Sequence, residues 1–177
     1  MLEVEAKIKV NSHLPIKELL VNKKAESLGK SVQKDMYFNA PDRDFAKTDE
    51  ALRIRVTDDN TEITYKGPKL KGSSAKAREE FNISFNDPET LEKILLRLGY
   101  RKSETVIKTR EEYRFMGTTI ALDDISGIGT FVEIEVVTDD NENALSLIEK
   151  AKNELGIIGD HITKSYLEMV LEKENSI

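Results

Sequence analysis

Polar and apolar residues alternate from the start of the chain. MLEVEAKIKV places Glu3, Glu5, Lys7 and Lys9 on one side and Leu2, Val4, Ala6, Ile8 and Val10 on the other. A period of two belongs to a β-strand with one dry face and one wet face. The pattern recurs. Arg53 and Arg55 oppose Leu52, Ile54 and Val56; Thr64 and Lys66 oppose Ile63 and Tyr65; Arg78, Glu80 and Asn82 oppose Phe81 and Ile83. Further on, Lys108, Arg110, Glu112 and Arg114 oppose Ile107, Tyr113 and Phe115. Asp123 opposes Ile120 and Leu122, and Glu133 and Glu135 oppose Val132, Ile134 and Val136.

The periodicity predicts strands over 2–10, 34–38, 51–57, 61–67, 76–85, 104–115, 118–124 and 130–137. DDNT at 58–61 and MGTT at 116–119 read as tight turns, and GPKLKGSS at 67–74 as a longer polar loop. Helices are predicted over 14–29, 87–98, 141–155 and 160–173. The second opens on Asp87-Pro88, a cap followed by proline in the first turn, and closes on Gly99. Its Leu91, Ile94, Leu95 and Leu98 share a face expected to pack on the core. An internal echo links SLGKSVQKDMYF at 27–38 with RLGYRKSETVIKTREEY at 97–113, and suggests two related halves closing one domain over 1–177.

A single strand of this kind would be a sheet over water. The whole set argues for a closed antiparallel barrel turned inside out, with a charged lumen and an apolar exterior packed on helices. Such a lumen cannot be dry, since an isolated buried charge costs on the order of tens of kcal/mol. Lys7, Arg53, Arg55, Lys66, Arg78, Lys108 and Arg110 call for a polyanion. Glu3, Glu5, Asp123, Glu133 and Glu135 call for a divalent metal. A metal-chelated polyphosphate satisfies both sets, the arginine forks gripping phosphate oxygens and the lysines supplying point charge.

Composition narrows the chemistry. The 177 residues carry 33 acidic and 27 basic side chains, a net charge of -6, which argues against nonspecific nucleic-acid binding. The absence of cysteine removes disulfides, thiol catalysis and thiolate metal sites. With only His13 and His161, any metal is held by oxygen, which points to Mg²⁺, Mn²⁺ or Ca²⁺. No apolar leader or long apolar run is present, so a soluble cytoplasmic protein with no membrane partner is expected. His161 reads as a capping or surface residue, Gly127 and Gly129 as turn glycines, and Ser165-Tyr166 as helix packing.

The motifs also resemble those of the CYTH domain, the triphosphate tunnel metalloenzymes. Glu3-x-Glu5-x-Lys7 resembles the ExExK signature of that family. DMYFNAPDRDF at 35–45, ALRIR at 51–55, TYKGP at 64–68, AREEF at 77–81, KTR at 108–110, LDDISGIGTFVEIE at 122–135 and KSYLEM at 164–169 follow in order. The resemblance implies an α+β fold, an eight-stranded antiparallel β-barrel tunnel flanked by helices, acting on a triphosphate-containing small molecule with Mg²⁺ or Mn²⁺. It implies Glu3, Glu5, Glu133 and Glu135 as metal ligands, with Asp123 as ligand or close support. It implies Lys7, Arg53, Arg55, Lys66, Arg78, Lys108 and Arg110 as triphosphate contacts, and Lys164 as a cap on one tunnel mouth, against a solvated helix lysine. Tyr37 and Lys66 resemble a base pair of thiamine triphosphatases, against simple packing for Tyr37. Three activities stay open: triphosphate hydrolysis, which the small charged lumen favours; class IV adenylyl cyclase chemistry, which needs an adenosine pocket; and noncatalytic polyphosphate or nucleotide binding. The sequence leaves monomer and homodimer open.

Overall fold

Eight antiparallel strands close into a barrel in this computed structural model, which describes residues 2–69, 76–138 and 140–175. The strands are β1 (Leu2–Val10), β2 (Glu26–Asn39), β3 (Ala51–Val56), β4 (Thr61–Lys66), β5 (Lys76–Ser84), β6 (Arg101–Phe115), β7 (Thr118–Ile125) and β8 (Gly129–Thr138). The helices are α1 (Leu14–Asn22), α2 (Phe45–Thr48), α3 (Pro88–Arg97), α4 (Asn141–Glu154) and α5 (Tyr166–Asn175). Around the barrel the order is β1-β5-β4-β3-β2-β6-β7-β8. Replacing each strand by the one four places on returns the same neighbours. The two halves, each a strand, a helix and three strands, are therefore related by a pseudo-twofold, as the internal echo suggested.

The inside-out reading holds in the packing. Val4, Ala6 and Ile8 of β1 and Val132, Ile134 and Val136 of β8 face outward and are buried against Ile16 and Leu20 of α1 and Ala144, Ile148, Ala151 and Leu155 of α4. On the other half, Met36, Phe38, Leu52 and Ile54 pack under Leu95 of α3 and Phe45 of α2. The cover is incomplete: Phe81 and Ile83 of β5 and Val32 and Ile107 of β2 and β6 are exposed on the outer face. An apolar cluster also forms where α5 meets the barrel, built from Val106, Ile125, Phe131 and Tyr166 with Met169 and Val170 beside them.

Several predicted boundaries move. The helix predicted over 14–29 ends at Asn22, and Lys24 turns the chain through a left-handed conformation (φ 57°). Residues 26–33 join β2, because β6 offers a long edge that pairs from Glu26↔Arg114 to Asn39↔Arg101. Gly29, which looked like a helix-ending glycine, sits at φ 112° beside a bulge in that ladder. Of the apolar face of α3, Leu95 is buried and Leu91 partly so, whereas Ile94 and Leu98 are exposed, so only half of the stripe packs. Asp87 caps α3 as predicted, accepting from Thr90 N–H. The 116–119 turn is a two-residue hairpin with Met116 and Gly117 both at positive φ. Most of the 67–74 loop lies outside the described residues.

The last helix starts at Tyr166, not 160. The segment before it is neither helix nor strand, and Ile162 N–H donates to Lys7 C=O at 2.7 Å, beyond the point where β5 stops pairing with β1. Ser165 and Glu168 form a reciprocal capping box, Glu168 N–H to Ser165 Oγ and Ser165 N–H to the Glu168 carboxylate. Its S-x-x-E signature is visible in the sequence and marks the true helix start.

Candidate active site

The polar phase of the strands converges on one cavity of about 400 Å³, a size suited to a small molecule. Lys7, Arg53, Arg55, Lys66, Arg78, Lys108 and Arg110 all line it, as do Glu3, Glu5, Glu133, Glu135 and Tyr37. β1 and β8 run side by side with Glu5 opposite Glu135 and Lys7 opposite Glu133.

The carboxylates divide into three groups. Glu3, Glu5 and Glu135 each bring an oxygen within 4.8 Å of the others. Like charges placed opposite one another on a sheet destabilise it, and their protonation answers to this. Burial pushes the Glu135 carboxyl up to about 8; Arg110 opposes the shift, while Glu3, Glu133 and Glu5 add to it. Burial also raises Glu3, opposed by Lys66 and reinforced by Glu80, Glu5 and Glu133. Three hard oxygen donors converging in a half-buried pocket fit Mg²⁺ or Mn²⁺.

Glu133 and Asp123 face elsewhere. Glu133 lies 3.2 Å from Lys7 Nζ and is bound by Arg110. Asp123 is fully buried behind the lining, accepting from Arg110 Nε at 2.7 Å and Nη2 at 2.6 Å, from Lys108 at 3.0 Å and from the Tyr166 hydroxyl at 2.9 Å. Burial would raise its pKa, but Arg110 and Lys108 outweigh that and hold it low. It sets the orientation of cations. Lys108 itself is lowered to about 8 by burial and by Arg110, against the pull of Asp123 and Glu133.

The third group escaped assignment in the sequence. Asp35 grips Arg55 with both oxygens at 2.7 Å and lies 3.8 Å from Arg53. Glu80 lies 2.5 Å from Lys66, which also approaches Glu3 at 3.9 Å. Glu80 and Glu112 stood in the lumen phase of their strands, so the alternation located them; Asp35 follows the same period ahead of Tyr37. Arg53 donates to Thr64 Oγ1 at 3.0 Å, and its buried Nε has no partner among the described residues. Arg78 lies 3.6 Å from Asp49.

Two expectations from the resemblance meet a different geometry. Lys164 is exposed and paired with Glu172; its backbone C=O, not its ammonium, reaches the site, accepting from Lys7 at 3.2 Å. Tyr37 is raised by burial and by Asp35, with Arg53, Arg55 and Lys66 opposing. That direction keeps its hydroxyl protonated and disfavours a phenolate base. Tyr166, read as helix packing, also lines the cavity. The lining also includes the apolar side chains Phe38, Phe45, Leu52, Leu167 and Leu171. His161 stands near Glu149 and is not part of this lining.

A closed eight-stranded barrel with a lumen of interleaved acidic and basic side chains defines the class of fold. The chain belongs to the CYTH domain family, whose model matches residues 1–166. It is 40% identical over 173 residues to a Methanocaldococcus jannaschii protein, MJ0240, provisionally named an adenylate cyclase, covering 96% of this chain and 98% of that one. The solved PH1819 protein of Pyrococcus horikoshii is 37% identical, covers 97% of this chain and 99% of its own, and superposes with a TM-score of 0.84. A solved Hippeastrum protein, provisionally named an adenylyl cyclase and described as having a dominant triphosphatase activity, shares the fold at 20% identity, covering 97% of this chain and 96% of its own with a TM-score of 0.71. Among the described residues no helix is long and apolar enough to cross a membrane.

Proposed function

We propose that this protein is a divalent-metal-dependent triphosphatase, hydrolysing inorganic triphosphate or another triphosphate-containing substrate inside the barrel. The observation that supports the reading most is the Glu3–Glu5–Glu135 cluster set, within one lumen, beside the Lys and Arg side chains of its lining. Glu3, Glu5 and Glu135 would hold Mg²⁺ or Mn²⁺. A bound divalent ion supplies Lewis-acid polarisation of phosphoryl oxygens.

The chain's own residues bind, neutralise and orient. Arg53 and Arg55 grip phosphate oxygens through their forks, and the buried Arg53 Nε supplies a donor with no competing partner among the described residues. Lys7, Lys66, Arg78, Lys108 and Arg110 spread positive charge along the chain of phosphates, lowering the cost of charge developing on the leaving group. Glu133 and Asp123 fix the directions of Lys7 and Arg110. The Tyr37 hydroxyl, kept protonated by burial and by Asp35, does not serve as the base.

The apolar members of the lining, Phe45, Leu52, Leu167 and Leu171, favour a second reading, in which the triphosphate carries an organic group and ATP is cyclised. The relative named as a cyclase supports that reading, and the activity described for the Hippeastrum protein illustrates hydrolysis within the same fold. Purified protein incubated with tripolyphosphate, and separately with ATP, in Mg²⁺ or Mn²⁺ decides between them. Phosphate from tripolyphosphate without cyclic AMP from ATP establishes the triphosphatase; cyclic AMP with pyrophosphate establishes the cyclase. Binding without turnover of either would leave a sensor and overturn both enzymatic readings.

A further inference from the structure

Tyr166 is the first residue of α5, outside the strand order, yet its side chain is buried against the lumen. Lys7 Nζ lies 3.9 Å from the centroid of its ring and Lys108 Nζ 4.9 Å from it. Its hydroxyl donates to Asp123, the carboxylate that also receives Lys108 and two Arg110 nitrogens. Phe131 packs edge-to-face with the ring, their centroids 5.3 Å apart. One side chain thus touches two cations directly and a third through Asp123.

The physical need is clear from the cations themselves. A lysine ammonium is a point charge on a flexible stem, and two of them side by side repel. Each already has a carboxylate partner, Glu133 at 3.2 Å from Lys7 and Asp123 at 3.0 Å from Lys108. The negative face of an aromatic ring steadies both further without adding another full counter-charge.

We propose that Tyr166 is a positioning residue of the triphosphate grip: its ring steadies the Lys7 and Lys108 ammonium groups, and its hydroxyl orients Arg110 through Asp123. This rests on the reading that those three cations bind the triphosphate. It makes α5 part of the site and not only an outer buttress of the barrel. The ring contacts, partly desolvated, carry an effect of about tenfold on substrate use.

The test compares kcat/KM for tripolyphosphate with Mn²⁺ in the full chain, together with Mn²⁺ affinity measured by electron paramagnetic resonance. Tyr166→Leu is expected to lower kcat/KM about tenfold and leave Mn²⁺ affinity unchanged, because the Glu3–Glu5–Glu135 cluster is not among the ring's contacts. Tyr166→Phe keeps the ring but loses the hydroxyl bond to Asp123, and is expected to lower kcat/KM by about threefold, less than Tyr166→Leu; a Tyr166→Phe variant equal to the parent overturns the hydroxyl's part in orienting Arg110. Met169→Ala loosens the same helix without altering the ring and is the control for seating. Where Tyr166→Leu does not fold, Tyr166→Met carries the same comparison. Equal losses in Tyr166→Leu and Met169→Ala, or an unchanged kcat/KM in Tyr166→Leu, overturn the proposal while the parent still turns over. A parent that neither binds nor hydrolyses tripolyphosphate overturns the functional reading and this inference with it.

Discussion

Both carboxylate oxygens of Asp35 accept from the Arg55 guanidinium, each at 2.7 Å, deep in the barrel wall. The pair is built from neighbouring strands, where Asp35 and Arg55 are direct partners. Burial would raise the Asp35 pKa, but the Arg55 hydrogen bonds, with Arg53 and Lys108 nearby, hold it well below the usual carboxylate range. Asp35→Asn takes the bidentate counter-charge from Arg55 and one of two nearby carboxylates from Arg53, which keeps Glu62 at 3.7 Å. Loss of one partner of a buried pair costs on the order of 3 kcal/mol. Thermal melts should show a fall in Tm of roughly 6–12 °C. Because the folded-state pKa is depressed, this stabilisation is present above the unfolded value and lost as pH falls through the folded one. The variant should lack that part of the acid destabilisation; a melt identical to the parent at neutral and low pH would refute the pairing.

Glu5→Gln and Glu133→Gln separate the two carboxylate roles. The first is expected to weaken Mn²⁺ binding by roughly 10²-fold and abolish turnover with the barrel intact. The second, removing a partner of Lys7 and Arg110, is expected to leave Mn²⁺ affinity within about threefold while impairing substrate use. Equal loss of Mn²⁺ binding in both would return Glu133 to the ligand set.

Metal binding should release protons at neutral pH. In the metal-free protein burial pushes the Glu135 carboxyl up to about 8, so it carries a proton that a cation must displace; Glu3 is raised in the same direction. Mn²⁺ affinity should rise as pH climbs from about 6 to about 8, and calorimetry in buffers of different ionisation enthalpy should count the released protons. The folded metal-free protein binds more protons than the unfolded chain between the ordinary carboxylate pKa and about 8, so the Glu135 contribution makes its stability fall across that window. Affinity independent of pH would sink the assignment.

Arg55→Ala and Arg53→Ala should each raise the tripolyphosphate dissociation constant about 10- to 100-fold, the range for losing charge-assisted hydrogen bonds. The loss should shrink at high salt. An unaltered constant in both variants would mean that neither guanidinium contacts the anion.

Lys164→Ala should change little. The side chain is exposed and its ion pair with Glu172 lies at the surface, where such pairs contribute about 0–1 kcal/mol. Its backbone carbonyl contact with Lys7 survives the substitution. A loss of substrate affinity beyond about threefold would restore it as a tunnel cap.

Much of this protein was legible from residues two apart. The alternation of Glu3, Glu5 and Lys7 with Val4, Ala6 and Ile8 assigned each side chain to a face, because strand geometry is local. It therefore located the lumen wall, including Glu80 and Glu112, and the outward core. It did not determine which side chains would meet across the barrel. That Glu135 joins Glu3 and Glu5, that Glu133 turns to Lys7 and Arg110, and that Asp35 closes on Arg55 follow from strand register and closure, which long-range pairing decides. The same long-range pairing drew residues 26–29 out of a predicted helix, and 30–33 with them, into β2. Tyr166 was the least legible of all: its helix lies outside the strand order, and only the packed structure sets its ring beneath two lysines.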